Sequence, residues 1–289
     1  LDLLHVHYAV PHASAAYMAQ QILLSQGIEI PFITTLHGTD ITLVGKDASF
    51  EPVINFAINN SDAVTAVSNS LKRDTLNYFK VKKEIKVIPN FIRLENYQRN
   101  PNVLIRNKYS PNGEKIITHI SNFRKVKRIP DIIIAFKKII EFQPATLLLI
   151  GDGPERDNVE RMCRELGVCE YIHFLGSIKY PQDVLQISDL FMLPSETESF
   201  GLAALEAMAS GVPVVASNTG GLPEVVEHGV GGLLHEVGDI EEMVKNAQRI
   251  FNDCTKYKNQ ALERAKSFSI DQVLSKYIEL YDSLLSVQC

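Results

Sequence analysis

Along the chain, short runs of Val, Ile and Leu alternate with longer segments whose apolar positions return every three or four residues. The runs fall at Leu3–His7, Phe32–His37, Ala63–Ser68, Ile85–Pro89, Ile116–Ser121, Leu147–Gly151, Tyr171–Gly176, Leu190–Pro194, Val212–Ser217 and Gly232–His235. They are continuously apolar, as expected of strands in a parallel sheet that helices cover on both faces. Helical segments between successive runs supply right-handed crossovers, so the pattern predicts an α/β chain with parallel sheets. Near the end, Ile270, Val273, Leu274, Tyr277, Ile278, Tyr281, Leu284 and Leu285 fit one face of a last helix.

The periodicity fails between Leu94 and Pro111, where Asn and Pro punctuate LENYQRNPNVLIRNKYSP. Four runs precede this break and six follow it, which predicts two domains, 1–94 and 95–269. The helix over 270–289 must pack on one of them, and the first domain is the candidate. The chain opens directly on LDLLHVH with no element before it, so the first domain reads as incomplete on its N-terminal side.

Composition narrows the function classes. With 45% hydrophobic residues the chain can fill two cores, and its 29 basic against 34 acidic residues exclude non-specific binding to nucleic acid or anionic membrane. Any anion must be held locally. No apolar run approaches the ~20 residues of a membrane span, so stable membrane insertion is not expected and a cytoplasmic location is. Cys163, Cys169, Cys254 and Cys289 form no CxxC pair and read as reduced thiols. The oligomeric state is open, a homo-oligomer included.

The segment richest in chemistry is DLFMLPSETESFGLAALEAMASGVPVVASNTGGLPEVV, from Asp189 to Val226. A strand ends at Pro194, and the loop SETESF enters a helix from about Gly201 to Ser210, closed by Gly211 and Pro213. Glu198 stands on the loop at the strand's carboxyl end and Glu206 just over a turn inside the helix, with seven residues between them. The N–H groups of Phe200, Gly201 and Leu202 have no helical acceptor, which favours phosphate, while carboxylates on either side favour sugar and ribose hydroxyls. The set suits a nucleotide-sugar diphosphate; the plainer alternative is a loop carboxylate and a solvated helix carboxylate.

Other blocks point the same way with less specificity. SNFRKVKR, Ser121 to Arg128, places four basic residues at the mouth of a parallel sheet, where they either neutralise a diphosphate or form a solvated charge run. LLLIGDGPER, Leu147 to Arg156, lacks the third glycine of a dinucleotide fingerprint. His37 in TTLHGTD ends a strand, and Gly38 frees the backbone to turn. In HVHYAVPHA, His5 and His7 share a strand face near His12, but no acidic partner follows at a ligand spacing, which argues against a metal site. In AVSNSLKRD, Ser68 and Asn69 open a helix with Arg73 one turn on, an anion pocket or a capped helix.

The ESFGLAALE block, followed by EAMASGVPVVAS and NTGGLPEVV, resembles the donor-site signature of the family-4 retaining glycosyltransferases of the GT-B fold, and the resemblance runs over essentially the whole chain. It implies two Rossmann-like parallel-sheet domains facing a cleft, the N-terminal one incomplete here. Donor contacts are implied for Asn122, Arg124, Lys127, Gly151, Gly153, Glu198, Ser199, Phe200, Gly201, Leu202 and Glu206. Glu206 is similar to the ribose-holding glutamate, Glu198 to the one beside the transferred sugar, and Gly151 and Gly153 to glycines near the base. The family's usual Gly-Arg is replaced here by Ser121 and Asn122; Lys127 keeps the Lys position and Arg124 is a substitute for the missing Arg.

On the acceptor side, His37 resembles the histidine close to the transferred sugar, and Tyr8, Thr39, Asn69 and Arg73 are the candidate acceptor residues. His37, Lys127 and Glu198 carry the expected catalytic roles. Together the blocks are most similar to family members that move N-acetylglucosamine from its UDP donor to the hydroxyl of L-malate in bacillithiol synthesis, with no cofactor. Another acceptor, such as a lipid-linked sugar or an inositol derivative, stays open, as does a noncatalytic nucleotide-sugar-binding module; a dehydrogenase is more distant. With the first domain incomplete, these residues alone are expected to bind UDP yet turn over poorly.

Overall fold

The computed structural model describes residues 1–43, 47–97 and 101–286, and its strands form two parallel sheets. By contacts the chain falls into two units, Leu1–Phe91 with Ile270–Cys289, and Ile92–Ser269.

The first unit runs β1 (Leu4–His7), α1 (Ser14–Leu24), β2 (Phe32–Leu36), α2 (Glu51–Asn60), β3 (Ala63–Ala66), α3 (Asn69–Tyr78) and β4 (Ile85–Val87), with its strands in the order β1-β2-β3-β4. Every residue of β2 is buried, including two threonines. Buried hydroxyls need partners, and Thr34 meets Ser61 at 2.8 Å while Thr35 meets Thr65 at 2.7 Å.

The second unit begins with α4 (Val103–Tyr109), β5 (Lys115–Ile120), α5 (Ile129–Ile139), β6 (Ala145–Ile150), α6 (Arg156–Leu166), β7 (Ile172–Gly176), α7 (Gln182–Leu185) and β8 (Leu190–Leu193). It continues with α8 (Leu202–Ala209), β9 (Val214–Ser217), α9 (Leu222–Val225), β10 (Glu227–His228), β11 (Gly231–His235), α10 (Ile240–Asn252) and α11 (Cys254–Lys266). The strand order is β10-β11-β9-β8-β5-β6-β7. The chain therefore starts in the middle of the sheet at β5, builds outward to β7, and returns to the other side of β5 with β8. The crevice at the carboxyl ends of β5 and β8 is a topological switch point, where open α/β sheets bind their ligands. Ile117, Leu147, Leu149, Leu190 and Met192 from the strands pack with Ile132, Phe136 and Met243 from α5 and α10 to form the core beneath it.

The last helix, α12 (Ile270–Leu285), joins the first unit, where Val273, Tyr277 and Leu280 pack with Ile33 and Ile88. The apolar face read from sequence is too wide: Leu274 and Ile278 are 41% and 48% exposed, while Leu280 is buried.

All ten apolar runs are strands; β10, two residues long, is an eleventh that the pattern does not show. The aperiodic break between Leu94 and Pro111 also differs from expectation, because α4 lies in it. Asn102 caps α4 by accepting from Leu104 N and Ile105 N, and Ile105 and Tyr109 lie against the buried Ile116, Leu148 and Ile150. Arg106 of α4 donates to Asp189 Oδ2 at 2.8 Å, and Lys258 of α11 donates to the other oxygen at 2.9 Å. Burial pushes the Asp189 carboxyl upward, but Lys258 and the Arg106 bond overcome it and hold the group below its usual value. Cys163, Cys169 and Cys254 are free thiols; Cys289 lies outside the described residues. Among the described residues no helix is long and apolar enough to cross a membrane.

Candidate active site

The loops that follow β5 and β8 flank the switch point, and they are tied together. Lys127 stands on a single helical turn, Lys125–Lys127, after β5, and its Nζ donates to Glu198 Oε1 in the loop after β8. Glu196 N donates to Val126 O at 2.8 Å, fixing the two backbones beside the ion pair. Both side chains are 18% exposed, so the pair is shielded from water far more than a surface salt bridge. The loop after β9 supports it from the other side: Gly221 N donates to Glu198 O at 2.8 Å, and Gly220 lies so close that a Cβ there would stand 1.9 Å from Glu198 O.

Beneath this pair lies a side chain that sequence reading passed over. His119 is fully buried in β5; its Nδ1 is 2.8 Å from Met192 O in β8 and its Nε2 is 2.8 Å from Ser121 Oγ. A carbonyl can only accept, so Nδ1 carries the proton and Nε2 accepts from the Ser121 hydroxyl. Ser121 Oγ in turn accepts from Phe123 N at 3.3 Å. Burial holds the His119 pKa down at about 4, against the smaller opposing effect of the Met192 carbonyl. The serine that replaces the usual glycine thus joins a chain of hydrogen bonds from β8 to the buried Phe123, whose φ is +37°.

Gly151 and Gly153 lie close against protein backbone. A Cβ on Gly151, where φ is +116°, would lie 1.7 Å from Ser121 O, and one on Gly153 would lie 2.1 Å from Asn122 O. Their N–H groups are also taken, by Gly176 O and Asp152 Oδ1 at 2.8 Å each. The space these glycines leave is filled by the backbone after β5, so they shape the loop carrying Lys127. Asn122 and Arg124 are exposed on that loop.

At the start of α8, Gly201 has φ +95° and, among the described residues, nothing accepts the N–H of Phe200, Gly201 or Leu202. Phe200 offers its backbone alone, because its ring is buried against Phe268 with centroids 5.8 Å apart. Ser199 and Glu198 are half-buried next to it. Glu206, the fifth residue of α8, is half-buried and accepts from Tyr97 Oη at 3.1 Å. Burial raises its pKa, and the Tyr97 bond opposes that rise. The structure therefore brings Lys127 to Glu198, and Glu206 to the unforeseen Tyr97.

In the first unit, β1 and the segments that follow β1 and β2 hold four histidines. His7 Nδ1 and His37 Nε2 are 2.8 Å apart, His5 stacks on His7 with centroids 4.9 Å apart, and His12 Nδ1 donates to His7 O at 2.7 Å. His5 also bonds Tyr281 Oη and Thr35 Oγ1, each at 2.7 Å. Burial, then the neighbouring imidazoles, bring His5 and His37 down to about 4. Among the described residues no group of three or more His, Cys, Asp or Glu is placed to hold a metal ion. Tyr8 takes φ +73° with its ring 5.1 Å from that of His37. This sharp turn is clamped by the buried Asp40, whose Oδ2 accepts from Ala9 N at 2.6 Å. Thr39, Asn69 and Arg73 are exposed, and α3, which carries the last two, packs against the turn Thr39–Leu43.

Two parallel-sheet Rossmann-like units, with a cation–carboxylate pair and an open helix start at the switch point of the second, define a GT-B glycosyltransferase. The "Glycosyl transferases group 1" family model matches residues 103–268, the "Glycosyltransferase Family 4" model matches residues 1–96, and the chain belongs to the group 1 glycosyltransferases. It is 43% identical over 99% of its length, and 75% of the relative's, to N-acetyl-alpha-D-glucosaminyl L-malate synthase of Bacillus anthracis. Sucrose-phosphate synthase of Thermosynechococcus elongatus has a similar structure, with TM-score 0.82, 25% identity and coverage of 99% of this chain and 74% of that one. Anabaena HepE, solved with UDP and glucose, superposes with TM-score 0.87 at 24% identity over 98% of this chain and 78% of HepE. The protein is a hexosyltransferase.

Proposed function

We propose that the protein transfers N-acetylglucosamine from UDP-N-acetylglucosamine to the hydroxyl of L-malate, with the anomeric configuration retained. The observation that carries this reading is the Lys127–Glu198 pair at the switch point, with the open start of α8 beside it, in a chain 43% identical to a synthase of that name. Glu206 accepts the ribose hydroxyls, the N–H groups of Phe200, Gly201 and Leu202 receive the diphosphate, and Lys127 and Arg124 neutralise it. Glu198 accepts hydroxyls of the sugar and keeps the Lys127 ammonium aimed at the leaving phosphate.

The reading takes a front-face route and assigns no carboxylate as a nucleophile. The bond between C1 and the β-phosphate oxygen breaks as the malate oxygen bonds C1 on the same face. The malate hydroxyl proton passes to the departing phosphate, and UDP leaves with the charge that Lys127 stabilises. The resemblance assigns His37 to the sugar and Tyr8, Thr39, Asn69 and Arg73 to malate, whose two carboxylates need donors. A donor and acceptor screen reading UDP release, with the product's anomeric proton coupling measured by NMR, tests the assignment. UDP release with malate and an α-linked product is expected; turnover with an inositol derivative or a lipid-linked sugar in preference to malate overturns the acceptor.

A further inference from the structure

Glu206 is a half-buried carboxylate with one donor. Among the described residues no side chain but Tyr97 donates to it, and the bond reaches Oε1 at 3.1 Å. A carboxylate accepts at about four lone-pair positions, and Tyr97 takes one of those on Oε1. Partial burial of a carboxylate favours donors at its remaining acceptor positions.

The backbone around Tyr97 is tied to its own unit. Tyr97 closes the single turn Leu94–Tyr97, which packs on α8. Just before that turn, Ile92 N donates to Phe268 O at 2.9 Å, and Ile92 bridges Ser269 in parallel. A glutamate carboxylate otherwise turns almost freely about its last torsion, where the energy wells are broad and roughly two-fold. One fixed donor on one oxygen sets the plane of the group and aims the other oxygen.

We propose that Tyr97 is a positioning residue that sets selectivity for the ribose diol: its hydroxyl orients the Glu206 carboxylate so that vicinal hydroxyls of the nucleotide bind with both donors engaged. This rests on the assignment of Glu206 to ribose. The alternative geometry, in which the phenol occupies the place of a ribose hydroxyl and must be displaced, predicts the opposite sign on its removal.

Calorimetry with UDP and with 2′,3′-dideoxy-UDP separates these cases, using the intact protein, Tyr97→Phe and Glu206→Ala. The intact protein prefers UDP, and Glu206→Ala erases the preference. Tyr97→Phe, which keeps the ring and its packing, weakens UDP about 5- to 10-fold, as expected for an indirect loss at a charged hydrogen bond, and leaves dideoxy-UDP within about two-fold. Equal weakening of both ligands, unchanged affinity, or tighter UDP binding in Tyr97→Phe overturns the proposal while the Glu206 result stands. A preference that survives Glu206→Ala overturns the ribose assignment itself.

Discussion

Lys127 Nζ and Glu198 Oε1 meet across the crevice between the loops after β5 and β8, where the chain changes direction through its second sheet. Each is the other's charged partner, and the pair is largely closed to water. Because negative charge on the β-phosphate grows as the donor bond breaks, an ammonium held there stabilises the transition state more than the bound donor. Lys127→Ala is therefore expected to lower kcat by about 10²–10³-fold and to change UDP affinity far less. Steady-state kinetics with calorimetry on the same variant checks this, and a raised KM for donor at unchanged kcat would mean that Lys127 is not at the leaving group.

Arg73 presents an exposed guanidinium on α3, beside the turn that follows His37. If it receives a malate carboxylate, Arg73→Ala raises KM for malate about ten-fold or more, on the scale of a charged hydrogen bond. Competition between malate and neutral alcohols is the measurement. Intact discrimination in the variant removes Arg73 from the acceptor site.

Gly151 tolerates no side chain. Its φ of +116° disfavours any L-residue and a Cβ would overlap Ser121 O at 1.7 Å. Gly151→Ala should cost more than the ~1–3 kcal/mol of backbone strain alone, because the loop bearing Lys127 must also move. Thermal melting and UDP binding should both suffer, whereas Gly113→Ala, at φ +87° with open space, pays the backbone strain and leaves UDP binding unchanged.

His119 predicts an acid limb of stability. Its folded pKa of about 4 lies below the ordinary histidine value of 6.5, so the unfolded chain takes up the proton first. The stabilisation is complete above pH 6.5 and is lost as pH falls towards 4, at most about 3 kcal/mol from this side chain. His5 and His37, brought to about 4 as well, act in the same direction. Urea midpoints from pH 7.5 to 4.5 should fall, and His119→Gln should flatten part of the slope. Ring nitrogen NMR should find Nδ1 protonated and Nε2 bare down to pH 5.

Arg106→Ala should destabilise the second unit by about 1.5–3 kcal/mol, since Asp189 loses one of its two cationic partners deep in the protein. Chemical denaturation checks it.

The strands were legible because continuous Val/Ile/Leu runs have one stable home in a sheet covered on both faces. β10 was not, since Glu227 and His228 are both polar and carry no apolar signal. α4 was hidden because Val103 and Leu104 point outward, 66% and 81% exposed, leaving Ile105 and Tyr109 without a period to announce them. At the site, the spacing of Glu198 and Glu206 was visible in one block of sequence. Tyr97, 109 residues before Glu206, and the His119 chain depend on tertiary proximity that no local pattern encodes. Gly151 and Gly153 announced a close approach without saying what approaches.

The return of α12 to the first unit has a consequence for synthesis on the ribosome. Ile33 and Ile88 are among the earlier residues made, yet Val273, Tyr277 and Leu280, which cover them, emerge after the whole second unit. Vectorial folding then runs out of sequence order: the second unit, contiguous from Ile92 to Ser269 with its ends bridged to each other, can close first. The earlier unit waits for α12 with part of its sheet uncovered, so a chain stalled before α12 would leave the first unit, rather than the second, in need of a chaperone.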